Sequence, residues 1–205
     1  MTTYPIDTAP VPRLLLGIDL AVKVVLFTLL LTAVLNPDLP QFAGKAMAGR
    51  AIAFPIAALL VPAVWWLGFR DRPFPVLVDL LWTLPFLIDT AGNAANLYDT
   101  VDHWDDLNHF FNWFLVTSAA SLVIGELDLA RWNRIALAVG FAVTMAVLWE
   151  FAEYVTFIHD SPELATAYTD TLGDLALGSL GGLVAALLVA GRRPSQGASS
   201  VRPAS

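Results

Sequence analysis

The chain contains no cysteine. Disulfides, thiolate metal sites and a cysteine nucleophile are therefore excluded. Charge is also scarce. Only 14% of the 205 residues are Asp, Glu, Lys or Arg, against about 25% in an average soluble domain. A disordered chain needs more charge and less apolar character, and an ordinary soluble domain needs more polar surface. Positive charge is the scarcest kind: 11 basic residues face 18 acidic ones, a formal net charge of −7. Nucleic acid is accordingly excluded as a partner, since phosphate binding requires a basic surface.

What fills the chain instead is hydrocarbon. The hydrophobic fraction is 57% and the mean hydropathy is +0.66. One membrane span needs roughly 20 apolar residues. Six apolar runs are legible: 14–35, 51–69, 76–97, 107–125, 135–157 and 171–190. The first is too long for a signal-peptide core, and Asn36-Pro37-Asp38 follows it rather than a small-residue cleavage site, so it reads as an uncleaved span. Pro55 and Pro62 lie inside the second run and predict a kink, not a break. The loops are short and no repeat is evident. The expected fold is all-α: a polytopic membrane helix bundle with six transmembrane helices. Residues 1–12 would form an N-terminal segment, 13–191 a single membrane domain, and 192–205 a disordered tail rich in Ser, Pro, Gly and Arg.

The basic residues orient the bundle. With six spans, Arg13, Arg70, Arg72, Arg131, Arg134, Arg192, Arg193 and Arg202 share one side, while only Lys45 and Arg50 lie on the other. The positive-inside rule places both termini in the cytoplasm. The acids then sort the other way. Asp38, Asp89, Asp99, Asp102, Asp105, Asp106, Glu150, Glu153, Asp160, Glu163, Asp170 and Asp174 all fall on the outer side, as do His103, His109 and His159.

Several of these groups have helical spacing. Glu150 and Glu153 (i, i+3) share a face of span five, and Asp170 and Asp174 (i, i+4) stand at the mouth of span six. Asp105, Asp106 and His109 enter span four, and Asp89, Asn93 and Asn96 end span three. Trp149 and Tyr154 flank the glutamates as interfacial aromatics would. Carboxylates with an imidazole suit a divalent metal, a general acid–base pair or a proton relay. The assignment is Asp106, His109, Asp170 and Asp174 as metal ligands and Glu150 and Glu153 as acid or base. Asp89, Asn93, Asn96 and Asp105 would be supporting polar groups.

Plainer roles stand beside these. Asp99, Asp102, Asp160 and Glu163 read as solvated loop acids. Glu150 and Glu153 can make a polar contact to Asn96 or His109, and Asp170 can complement the dipole of span six. Asp19 and Lys23 (i, i+4) form an internal neutralising pair, and Asp79 is expected to pair with Arg70 or Arg72. Gly173, Gly178, Gly181 and Gly182 form a small-residue stripe for close helix packing.

Four segments resemble a known family. Asp105-Asp106-Leu107-Asn108-His109-Phe110 is similar to the Asp–His–Phe entry of VanZ-like and YjdF-type bacterial inner-membrane proteins. Trp149-Glu150-Phe151-Ala152-Glu153-Tyr154 resembles the YjdF-type Trp-Glu-x-x-Glu-aromatic motif, and the Glu-x-x-Gln of VanZ-like proteins with Glu153 in the Gln position. Tyr168 to Asp174 resembles their Asp-x-x-x-Asp signature, and Asp89-Thr90-Ala91-Gly92-Asn93 also fits the YjdF type. The resemblance spans about residues 85–185 and implies a multi-pass protein of the bacterial cytoplasmic (inner) membrane. One departure is clear: the family's Asn four residues after the second Asp is Gly178 here.

Three functions follow from this reading. The first is an outer-leaflet site that binds or acts on a lipid or cell-envelope precursor with a divalent metal. The second is a small-solute or proton-coupled transporter, for which 205 residues leave little room unless the chain forms a homo-oligomer. The third is a structural scaffold. No nucleophile motif is present, which argues against covalent catalysis but leaves metal-activated water available.

A reporter enzyme fused after Arg193 is expected to read cytoplasmic. An external reading would invert the placement of every acid named above.

Overall fold

A computed structural model describes residues 13–191, and the segments 1–12 and 192–205, with the tail expected there, lie outside the described residues. Six helices are long and apolar enough to cross a membrane: α1 Arg13–Leu35, α2 Met47–Phe69, α3 Val76–Ala94, α4 Trp104–Gly125, α5 Arg131–Thr156 and α6 Ala167–Ala190. Among the described residues there is no strand. The outside of the bundle is apolar. Leu14, Leu67, Trp132 and Val155 are exposed by two thirds or more. In water such a surface would aggregate, whereas lipid tails solvate it.

Five of the six helices begin earlier than their apolar runs. α2 takes in Arg50, α4 takes in Asp105 and Asp106, α5 takes in Arg131 and Arg134, and α6 takes in Asp170. α3 instead stops at Ala94, three residues before the run ends. Asn96 and His103 then adopt positive φ (57° and 62°) and turn the chain into α4. Hydropathy falls at the first charge, but a helix continues wherever that charge finds a partner. Arg134 shows how: it is buried, its Nε donates to the Ala190 carbonyl (3.1 Å) and its Nη1 to the Leu129 carbonyl (2.7 Å). It thus covers a carbonyl at the end of α6 that has no helical partner. In α2 the α-helical pattern lapses at Leu59, whose N–H donates to the Pro55 carbonyl, and resumes at Leu60, as expected of a proline kink.

Two three-helix groups build the bundle. α1, α2 and α3 pack together, as do α4, α5 and α6, and the seam between the groups is α3 against α4. Leu26, Leu30, Phe54 and Ala58 make the core of the first group. Ile135, Ala138, Ala186 and Ala190 close the base of the second.

The first group holds one buried charged centre, at the end of the bundle where α1 and α3 begin. Lys23 Nζ lies 2.7 Å from Asp19 Oδ1 and 2.8 Å from Asp79 Oδ2, and all three residues are buried. The internal Asp19–Lys23 pair is as expected. The expectation that Asp79 pairs with Arg70 or Arg72 is corrected: Asp79 points into the bundle at Lys23, not back to the loop. A carboxylate in the apolar interior gains far more from a buried ammonium than from a loop cation in water.

The closest packing is α4 against α6. A Cβ at Gly181 would collide with the backbone carbonyl of Phe110, and one at Gly182 with the Ala142 side chain. A Cβ at Gly178 would lie 2.5 Å from Trp113 Cδ1. Gly173, placed in the same stripe from sequence, has open space around it and takes no part. The stripe is therefore three glycines, not four.

Gly181→Ala should destabilise the protein by about 1–3 kcal/mol through overpacking against backbone. Gly140→Ala, where nothing lies within 4 Å, should leave stability unchanged or raise it. Thermal unfolding in a neutral detergent compares the two.

Candidate functional site

One end of the bundle collects the polar groups. The end of α3, the start of α4, the end of α5 and the start of α6 meet there. At its centre is His109, buried on α4 one turn after Asp105. Its Nε2 lies 3.6 Å from Asp174 Oδ1 and 3.7 Å from Asp105 Oδ1, and its Nδ1 lies 3.8 Å from Glu150 Oε1. Each separation is longer than a hydrogen bond. Two donors on one ion at tetrahedral angles and about 2.1 Å bonds would stand about 3.4 Å apart. Two ligand groups are close enough to hold an ion, Asp105–His109–Asp174 and His109–Glu150–Glu153, with donor atoms within 4.8 Å of one another. Glu150 and Asp174 are buried, and Asp105 and Glu153 are partly so.

The expected residues divide around this centre. His109, Asp174, Glu150 and Glu153 come together. Asp105, read from sequence as a supporting group, stands among the ligand atoms. Asp106 does not, because its Oδ2 accepts from His103 Nδ1 at 2.8 Å on the exposed side of the helix start. Asp170 is exposed in the first turn of α6 and joins neither group. Asn93 is buried and donates to the Asp89 carbonyl at 3.0 Å, which braces the end of α3. Asn96 lies in the turn after α3, and its buried Oδ1 has no partner.

A second network abuts the first. Asp89 accepts from Arg50 Nε at 3.0 Å and from the Tyr98 hydroxyl at 2.8 Å, and Asn108 Nδ2 donates to Tyr98 Oη at 3.0 Å. Arg50 also reaches the Lys45 carbonyl. Burial, and then the Asp89 carboxylate, push the Tyr98 hydroxyl above its ordinary range, so it stays a proton donor. Sequence reading left out Arg50 and Tyr98. Arg50 counted as a loop cation, and 39 residues separate it from Asp89; no local signal links the two.

Behind the polar end lies a cavity of about 240 Å³ between the two helix groups. Asp89, Asp105, His109 and Glu153 form its polar lip, and Phe54, Trp82, Phe86, Trp113 and Trp149 line its body. Trp149, expected to mark the interface, turns inward instead, its ring 6.4 Å from that of Phe54 and roughly parallel to it. Tyr154 does face outward. Trp113 is held in the space that a side chain at 178 would need.

Tyr98→Phe should leave one Asp89 oxygen and the Asn108 amide short of a partner. A loss of about 1–3 kcal/mol is expected, with the helix content unchanged, read by circular dichroism during thermal unfolding.

No curated protein and no solved structure matches this chain. A family model does, over residues 18–195, which takes in most of α1, the other five helices and both networks. The chain belongs to the family described as "Predicted membrane protein (DUF2238)".

Proposed function

We propose that the protein resides in a bacterial cytoplasmic membrane with the polar end outward, and that this end holds a divalent metal with which it binds or acts on a lipid or cell-envelope precursor. The observation that carries the reading is His109: a buried imidazole with three carboxylates at 3.6–3.8 Å and a hydrogen bond to none of them. Such a gap is too wide for direct pairing and suited to a shared ion. Asp105, His109 and Asp174 are the ligands in this reading. One imidazole with carboxylates fits Zn, Fe or Mn better than the all-oxygen set preferred by Mg or Ca. The three helices that supply the ligand and acid–base residues, α4, α5 and α6, pack pairwise against one another, with the glycine contact of α6 at the closest approach. The set is thereby held without loops.

Glu150 and Glu153 stand on the α5 side of His109. They would take and return the proton of a metal-activated water or of a substrate group. The cavity beside them gives a lipid chain a place to lie while its head reaches the metal. The nearness of the motifs to YjdF-type and VanZ-like proteins belongs to the same proposal.

Protein purified without chelator should carry zinc, iron or manganese in stoichiometric amount by elemental analysis. His109→Ala and Asp174→Asn should each lose the metal while retaining helical circular dichroism. Glu150→Gln should keep it and lose function. A metal-free protein that does not respond to added Mn²⁺ or Zn²⁺ would sink the proposal.

A further inference from the structure

The cavity has a composition that constrains its guest. Its volume of about 240 Å³ exceeds the roughly 150 Å³ of an apolar cavity that holds benzene. That is room for a short length of hydrocarbon chain. Three indoles and two phenyl rings line it, with the Tyr98 ring at the lip. The Trp82 Nε1–H is tied to the Ala57 carbonyl at 2.8 Å, which fixes that indole across the α2–α3 boundary.

The lip carries acids and no spare cation. Asp89, Asp105 and Glu153 contribute to the lining, and no Lys or Arg does. Arg50, the nearest cation, is engaged by Asp89 and the Lys45 carbonyl. Asp89 in turn is taken up by Arg50 and Tyr98. Glu153 differs. Its carboxylate lines the cavity one turn from Trp149 on the same helix, with Arg50 as the cation whose charge it feels. His109, buried and without a hydrogen bond, also faces this space.

The arrangement therefore places carboxylate and aromatic faces around one opening into apolar space. Aromatic faces attract a cation through the ring quadrupole, most strongly when water is excluded. Carboxylates add charge complementarity and repel an anionic head. An alkyl chain attached to the cation would fill the remaining volume. We infer that the cavity binds a single-chain amphiphile with an organic ammonium head, the head between Glu153 and the Trp149 and Trp113 rings, the chain between the two helix groups.

The route in is the α2–α5 side. Neither α2 nor α5 is part of the α3–α4 seam, and across the cavity they meet through the rings of Phe54 and Trp149. A chain arriving from the lipid would part those two rings without disturbing the seam. This inference rests on reading the polar end as a lipid-binding site, but it does not require the metal.

The test uses the full chain in lipid nanodiscs and three probes of equal chain length: decyltrimethylammonium, decanol and decyl phosphate. Quenching of tryptophan fluorescence reports binding, and each probe is run with a chelator and with Mn²⁺. The ammonium probe is expected to bind at least tenfold more tightly than decanol, and decyl phosphate more weakly than decanol when the chelator is present. Glu153→Gln should abolish the tenfold preference while leaving decanol binding unchanged, which also reports that the cavity is intact. Equal affinity for all three heads would overturn the inference. So would tightest binding of decyl phosphate with Mn²⁺, although that result would support the metal reading above. Preference for the ammonium probe in protein that takes up no metal would do the reverse.

Discussion

Hydrocarbon offers no solvent to an unpaired charge, and that single constraint organises the bundle. An ionisable side chain within a span must turn inward and find a partner on another element. Lys23 does so between Asp19 and Asp79, which ties α1 to α3. Arg50 does so on Asp89, which ties α2 to the other end of the same α3. Arg134 does so on main-chain carbonyls, which ties α5 to the end of α6. Each contact fixes the rotation of a helix that lipid alone would leave free to turn, because its apolar surface looks the same from every side. α3 is the hub: it holds a buried carboxylate near each end and forms the seam with α4 between the groups.

Close approach of α4 and α6 supplies what charge pairing cannot. Van der Waals packing of small residues drives helix association in lipid, where the hydrophobic effect gives no preference for protein over lipid. Gly178 and Gly181 lie on the face of α6 that meets α4, and Gly182 lies between α4 and Ala142 of α5. Asp174 precedes Gly178 by one turn on that face, so the packing that seats the glycines also delivers Asp174 to His109. Gly178 also lets the Trp113 indole lie flat in the wall of the cavity.

The number of spans, their apolar exterior and the gathering of acids at one end were legible, since hydropathy and side-of-membrane bookkeeping depend only on order along the chain. Helix boundaries were less so. Apolar runs end at the first charge, whereas Arg50, Asp105 and Arg134 continue their helices because each has a partner in three dimensions. Asp105 and Asp106 make the limit plain. Both stand at helical spacing from His109, at i+4 and i+3, so spacing does not choose between them; His103 at the helix start takes Asp106, and Asp105 stands beside His109. Trp149 failed as an interface marker because the rotation of α5 turns its ring toward Phe54. Asp79 was assigned to a nearby loop cation, and its true partner lies 56 residues away on another helix.

By itself the sequence determined that the chain crosses a membrane in six helices, that its acids and histidines are sorted to one end, and that α6 carries a packing stripe. Composition and periodicity suffice for these because they follow from transfer free energy summed along each helix. Only the tertiary structure decided that Glu150 and Asp174 close on His109 from two other helices, that Arg50 and Tyr98 clasp Asp89, and that an aromatic cavity opens beside Glu153. These depend on the relative rotation of helices, which is set by contacts between residues tens of positions apart and leaves no mark on local sequence.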